Sequence, residues 1–370
     1  MKILIIGSLA QSLINFRKAL LKTMISRGHQ VIACAPDIPD KIKKELESFG
    51  VQCRIIAINR TGLNPLTDLK TLLMLIKLLR KENPDRILAY TVKPVLYSSL
   101  AAQITGINGM YSLITGLGYA FSSSSSLKQN TVSKIVNILY RQALKANAGV
   151  LFQNPDDLEL FKSKKLLPEK SSTIIVNGSG VDLQHFRPVP LPKGPSFLLI
   201  ARLIKDKGIR EYVQAAKIVK KKYPNAKFTL AGWLDPTPSA ICKQELKKWQ
   251  RFGIVKYLGK LTDVRPAIAN CSIYVLPSYR EGTPRTVLEA MGMGRPIITT
   301  DAPGCRETVI NGKNGFLVPI RSPQNLAEAM IKYIEHPEIM VKHGQASRKL
   351  AEKKYDVHKV NKVIRDFMGY

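Results

Sequence analysis

The sequence predicts an α/β protein made of two Rossmann-like, doubly wound parallel-sheet domains. Three observations carry that expectation. Short apolar runs alternate with amphipathic helical stretches through both halves of the chain, the order that a parallel sheet with crossover helices requires. The rhythm breaks once, at the proline-rich stretch Arg187–Pro195, and restarts at Ser196. A chain of 370 residues with 45% hydrophobic content has room for two ordinary cores.

Lys2–Ile6 reads as the first buried strand, since the apolar run is too short for a secretory leader and meets Gly7 at once. Gly7–Arg17 is expected as a loop entering a helix that continues to about Arg27. A strand at Gln30–Ala35, a helix at Asp40–Phe49 and a strand at Val51–Ile58 follow, and Asn64-Pro65 opens the helix Leu66–Lys81. Leu66–Arg80 is apolar over much of its circumference, which suits a packed crossover helix and leaves open one that dips into a membrane interface. The strand Asp85–Tyr90 ends at Thr91-Val92-Lys93-Pro94, ahead of a helix at Ser98–Ile104. Tyr111–Thr115 is a strand running into Gly116-Leu117-Gly118, where glycines permit close approach of a ligand or simply a turn. Leu127–Ala146 is a helix, Gly149–Gln153 a strand, Leu158–Lys164 a helix capped from Asn154, and Ser172–Val176 a strand.

The second half repeats the pattern. Ser196–Arg202 is a strand whose exit leads through Lys207-Gly208 into the helix Ile209–Lys222. Lys227–Gly232 and Val255–Gly259 are strands on either side of a helix at Pro238–Phe252, and a short helix reaches Asn270. Ile273–Pro277 is an apolar strand that ends in a turn. Thr283 is expected to cap a helix starting at Pro284, which Gly292 and Gly294 stop before the strand Ile297–Thr300. Helices fill the chain from Pro323, the last of them Val357–Met368. The expected domains are 1–186 and 196–355, joined by a linker at 187–195, with 356–370 returning to the first.

The stretch from Ser278 to Asp301 carries the chemistry. A helix N-terminus offers unpaired N–H groups and partial positive charge to an anion such as a diphosphate. Glu281 in the loop and Glu289 on the second helical turn suit neutral hydroxyls, because a carboxylate accepts from two OH groups at once. On helix chemistry alone, pairing of Glu289 with Arg285 and a solvated Glu281 is the commoner arrangement and stays open. Ligands of open parallel sheets sit at the carboxyl ends of strands, where Arg202 and Lys207 stand.

Glu281-Gly-Thr-Pro-Arg-Thr-Val-Leu-Glu289, with Ala-Met-Gly-Met-Gly-Arg-Pro and Asp301-Ala-Pro-Gly behind it, resembles the E-x7-E signature of family 4 retaining glycosyltransferases. The resemblance extends through nearly the whole chain. It implies the GT-B arrangement, two Rossmann-like domains facing across a cleft, with a UDP-sugar donor on the C-terminal domain and the acceptor on the N-terminal one. It implies Arg202 and Lys207, with Glu281, at the reacting diphosphate. Gly7, Leu261, Glu281, Gly282, Thr283, Arg285, Thr286, Val287 and Glu289 are the donor-binding set. Ser12-Leu-Ile-Asn15-Phe-Arg17, Thr91-Val-Lys93-Pro94 and Thr115-Gly116-Leu-Gly118 resemble the bacterial subgroup that extends polyprenyl-diphosphate-linked sugars in O-antigen, capsule or N-glycan assembly. Ser12, Asn15, Arg17, Lys93, Thr115, Gly116 and Gly118 are its acceptor-binding candidates. Many members present a histidine where this chain has Thr91–Pro94, and none of the five histidines falls there.

A net charge of +30 asks for an anionic partner or reflects a basic proteome. An anionic membrane surface fits best, giving a cytoplasmic protein peripheral on the inner face of the cell membrane. Nucleic acid is disfavoured, because zinc spacings, aromatic RNA-binding signatures and interleaved basic blocks are missing. A dehydrogenase is disfavoured by the lack of a Gly-x-Gly-x-x-Gly turn after a strand. No apolar run reaches eighteen residues, so no span is expected. Five cysteines without metal spacing suit a reducing compartment. No Asp-x-Asp occurs, so metal-independent transfer without a cofactor is expected, either to a lipid-linked acceptor or to a soluble one.

Overall fold

A computed structural model of the chain describes residues 1–59, 64–117, 127–235, 237 and 239–370. The chain divides into two compact units, Met1–Ser179 with Val360–Tyr370, and Gly180–Lys359.

The first unit runs β1 (Lys2–Ile6), α1 (Ala10–Ser26), β2 (Gln30–Ala35), α2 (Asp40–Glu47), β3 (Gln52–Ile55), α3 (Pro65–Glu82), β4 (Arg86–Tyr90), α4 (Val92–Thr105), β5 (Met110–Ile114), α5 (Leu127–Ala143), β6 (Gly149–Phe152), α6 (Pro155–Ser163) and β7 (Thr173–Ile175). Among the described residues the strands form one parallel sheet in the order β3-β2-β1-β4-β5-β6-β7. Successive side chains of a strand point to opposite faces, and β1 shows the consequence. Ile3 and Ile5 pack with α1 and α2, while Leu4 and Ile6 pack with the layer α3, α4, α5 and α6.

The second unit runs β8 (Ser196–Ile200), α7 (Ile209–Lys222), β9 (Lys227–Ala231), α8 (Lys243–Arg251), β10 (Lys256–Tyr257), α9 (Arg265–Ala269), β11 (Ile273–Leu276), α10 (Arg285–Gly292), β12 (Ile297–Thr300), β13 (Gly315–Val318), α11 (Pro323–Glu335) and α12 (Pro337–Leu350). Its parallel order, β10-β9-β8-β11-β12-β13, is that of a dinucleotide-binding sheet. The chain ends in α13 (Val357–Met368), whose Val360, Ile364 and Met368 bury in the α1 and α2 face of the first unit. There Arg86 Nε donates to the Met368 carbonyl at 3.0 Å.

Several elements differ from expectation. Ala10–Arg17 is helical rather than loop, although Leu9 supplies no side-chain cap. Thr91 is the N-cap of α4, so Lys93 and Pro94 stand in its first turn; proline there removes no helical bond, and the helix starts six residues earlier than Ser98. Pro284 is the N-cap of α10, one residue after Thr283, and Arg285 is the first helical residue. The strand β13 was not foreseen, because a four-residue run opened by glycine carries little β signal. The division between the units falls ahead of the proline-rich 187–195. Leu183 and Phe186 are buried in the second unit's core, and the buried Arg295 donates to the carbonyls of Val189 and Pro190.

All five cysteines are free, and burial pushes the thiols of Cys34, Cys271 and Cys305 up to about 12. Among the described residues no helix is long and apolar enough to cross a membrane.

Gly208, between β8 and α7, joins the two loops of the second unit's central strands. Its φ is +66°, and a Cβ there would stand 2.1 Å from the Pro277 carbonyl oxygen beyond β11. Gly208→Ala should therefore cost roughly 2 kcal/mol or more, read as a lower urea midpoint with an unchanged slope.

Candidate active site

In the second unit the crossovers from β8 and β11 leave towards opposite edges of the sheet, so these neighbouring strands part at their carboxyl ends. The crevice outside that parting is where an open α/β sheet holds its ligand. Arg202 and Lys207 follow β8, and Ser278, Glu281 and the start of α10 follow β11.

Each cation there is held by a carboxylate. Lys207 Nζ donates to Glu281 Oε1, which also accepts from Ser278 Oγ at 2.7 Å. The Glu281 N–H donates to the Pro303 carbonyl at 2.9 Å, and Gly304, with φ +78°, leaves room for that approach, since a Cβ would lie 2.2 Å from the Glu281 carbonyl oxygen. Arg202 Nη1 donates to Asp235 Oδ2 at 3.2 Å. Burial pushes the Asp235 carboxyl upward, but bonds from Thr237 and Arg202 outweigh it and leave the group below the ordinary carboxylate range.

On α10, Glu289 Oε1 accepts from Arg285 Nε at 2.8 Å, so the i,i+4 pairing that helix chemistry left open is made. Glu289 is 7% exposed, and burial raises its pKa against the opposing pull of Arg285. Thr286 Oγ1 donates to the Ile200 carbonyl at 3.3 Å, tying the first turn of α10 to the end of β8. Within the helix, Val287 and Leu288 both donate to the Pro284 carbonyl, and the N–H groups ahead of them precede the helical ladder. Gly282 and Thr283 lie in the loop before Pro284, and the half-buried Leu261 stands beyond Gly259, packed on the core under α9 and α10.

In the first unit, β1 and β4 are the corresponding parting pair. Gly7, at the end of β1, lies in this unit beside Tyr90; a Cβ on it would meet the Tyr90 hydroxyl at 2.4 Å. Ser12 Oγ and the Tyr90 hydroxyl are 2.7 Å apart, and the Arg17 guanidinium, 2% exposed, lies 5.0 Å over the Tyr90 ring. Thr91 Oγ1 donates to Ser8 Oγ at 2.9 Å with a backbone φ of +69°, a costly conformation for a β-branched residue and the kind that collects at ligand sites. Lys93 Nζ donates to Asp68 Oδ1 of α3 at 2.7 Å, both side chains being largely buried. Asn15 is exposed and accepts from Gln11 at 2.9 Å. Thr115 and Gly116 follow β5, with Gly116 at φ +121°, and Gly118 lies outside the described residues.

The partners Asp235, Ser278 and Asp68 were missed in the sequence. Asp68 alone left a signal, a carboxylate on the helix stripe that continues through Thr71, Leu75 and Leu79.

Residues 2–154 match the glycosyl transferase 4-like family, and residues 194–336 match the glycosyl transferases group 1 family. The chain belongs to these glycosyltransferases. It is 29% identical, over 92% of its length and 91% of the relative's, to the N,N'-diacetylbacillosaminyl-diphospho-undecaprenol alpha-1,3-N-acetylgalactosaminyltransferase of Campylobacter jejuni. It is 24% identical, over 88% and 84%, to the UDP-Gal:alpha-D-GlcNAc-diphosphoundecaprenol alpha-1,3-galactosyltransferase of Escherichia coli. Among solved structures it resembles Anabaena HepE in complex with UDP, at TM-score 0.77, 19% identity and 99% of both chains. The protein is thus a glycosyltransferase with the GT-B fold.

Removing one partner of a buried pair strands the other. Lys93→Ala in this glycosyltransferase should cost about 3–5 kcal/mol in urea unfolding, and Lys93→Met with Asp68→Asn clearly less. Because Glu289 is a carboxyl with a raised folded pKa, its contribution to stability is complete below the ordinary value of 4.5 and is lost as pH rises through the folded value. The unfolding free energy of the wild type minus that of Glu289→Gln should fall as pH rises above 4.5, measured by denaturation in matched buffers.

Proposed function

We propose that this glycosyltransferase moves a hexose or N-acetylhexosamine from a UDP-sugar, with retention at the anomeric carbon, onto a polyprenyl-diphosphate-linked saccharide. The reaction takes place at the cytoplasmic face of the membrane, on an anionic lipid surface, in bacterial glycan assembly. One observation carries the donor half: Arg202, Lys207 and the N-terminus of α10 gather at one crevice with the buried Glu289 behind them. A sugar nucleotide needs charge stabilised on its departing diphosphate, and two cations beside a helix start supply that. Their carboxylate partners Asp235 and Glu281 keep both cations at the crevice. Glu289 and Glu281 accept from hydroxyls of the sugar or ribose.

The acceptor half rests on the two relatives that act on undecaprenyl-linked diphosphates. The first unit offers cationic side chains of its own, Arg17 and Lys93, beside Ser12 and the strained Thr91. Since Arg17 and Lys93 are buried against Tyr90 and Asp68, they act on an acceptor phosphate from fixed positions.

The test is transfer of radiolabel from a panel of UDP- and GDP-sugars into organic-extractable lipid of bacterial membranes. Label should enter from one UDP-sugar, persist in EDTA, and fall by roughly two to three powers of ten in Arg202→Ala and in Lys207→Ala. Near-normal turnover in either variant overturns the donor assignment, and a strict Mg²⁺ or Mn²⁺ requirement overturns metal independence. Release of free nucleotide without lipid label overturns the lipid acceptor and points to a soluble one.

A further inference from the structure

Most exposed large apolar side chains of this chain are scattered singly, as on most protein surfaces. One set is not. On α3, Leu66, Leu69 and Leu73 are 78%, 53% and 57% exposed, and on α5, Ile135 and Ile138 are 45% and 62% exposed. Spacings of three and four residues put each set on one helix face. Both helices pack in the same layer against the same sheet face, through Leu75 and Leu79 of α3 and Val136 and Tyr140 of α5. Their outer faces therefore look away from that sheet in the same direction.

The charges around these side chains are of one sign. The outer face of α3 continues into Lys70, Lys77, Arg80 and Lys81, whereas its two carboxylates, Asp68 and Glu82, are buried and paired with Lys93 and Arg54. On α5 the exposed neighbours are Lys134, Arg141 and, just beyond it, Lys145. The chain contains no aspartate or glutamate between Asp85 and Asp156, a span that includes all of α4 and α5. A protein partner bearing mixed charge would draw on carboxylates of these two outer faces, and among the described residues α3 and α5 expose none. Leucine and isoleucine ringed by lysine and arginine match an anionic bilayer, which takes the apolar tips among its acyl chains and the cations among its headgroups.

The position of the leucines is the second observation. A crossover helix runs antiparallel to its strands, so the first turns of α3 stand at the carboxyl edge of the sheet, beside Thr91 and Lys93. Asp68, within one turn of Leu66 and Leu69, bonds Lys93 directly.

We propose that the outer face of α3 and α5, led by Leu66, Leu69 and Leu73, docks on an anionic lipid bilayer and brings the β1–β4 edge to the membrane. This deepens the acceptor reading and rests on it for the purpose of docking, though the surface is tested without it. The full chain would be co-sedimented with phosphatidylglycerol-rich vesicles and with pure phosphatidylcholine vesicles, across a salt series. Wild type should bind the anionic vesicles, more weakly as salt rises. Leu66→Ser with Leu69→Ser and Leu73→Ser should lower the affinity at least roughly tenfold with an unchanged melting temperature, because these side chains are exposed. Lys217→Gln with Lys221→Gln, two exposed lysines on α7, should bind as wild type.

With a polyprenyl-diphosphate sugar embedded in vesicles the leucine variant should lose transfer, and with a short-chain, water-soluble analogue it should keep it. Equal vesicle binding by wild type and the leucine variant, or an equal loss in the α7 variant, overturns the docking face, as does binding that is indifferent to lipid charge. If vesicle binding follows the leucines but neither acceptor is glycosylated, the docking surface stands and the acceptor reading falls.

Discussion

Neighbouring strands of a parallel sheet whose crossover helices leave to opposite faces must part at their carboxyl ends, and both units depend on that parting. In the second unit it opens beyond β8 and β11, in the first beyond β1 and β4. Strand interiors are committed to burial on both sides, so polar chemistry is confined to the loops at that edge. Arg202, Lys207, Glu281 and α10 stand at one such edge, and Ser12, Thr91, Lys93 and Gly116 at the other. The loops must pass close to one another, and glycine marks where they do. Gly208 clears the Pro277 carbonyl and Gly304 clears that of Glu281.

On this scaffold the charges come in neutralised pairs. Arg202 with Asp235, Lys207 with Glu281, Arg285 with Glu289 and Lys93 with Asp68 each join a cation to a carboxylate in a half-buried or buried setting. Stranding either member costs more than the pair contributes, which fixes the side chains in place before any ligand arrives. A chain carrying +30 keeps these cations at the two edges by this means and leaves most of the remaining lysines and arginines on outer faces, with Arg17, Arg295 and Arg365 buried. The helices α3 and α5 are the extreme case, since the only carboxylates on them, Asp68 and Glu82, are buried and paired.

Much of the fold was legible from local pattern. The helix Ile209–Lys222, the strand Ile297–Thr300 and the final helix Val357–Met368 lie within their expected bounds, because each joins a clear period to clear stop signals. Elements went astray where a local signal has two meanings. Pro94 reads as a helix breaker and is a first-turn residue of α4, and the polar Ser12 and Asn15 read as loop and lie on α1.

The sequence by itself determined the alternation of strands and helices, the Glu281-x7-Glu289 spacing on a helix start, the cations at a strand exit and the excess of positive charge. Those are properties of neighbouring residues, and short-range physics suffices for them. The tertiary structure decided which carboxylate holds which cation, that Arg17 is buried over Tyr90, and that Leu66, Leu69 and Leu73 face outward while Leu75 and Leu79 face the core. Lys207 and Glu281 are separated by 74 residues, Arg202 and Asp235 by 33, and Lys93 and Asp68 by 25. Partners that far apart meet only because the sheet order brings their loops to one edge, and no local pattern encodes that order.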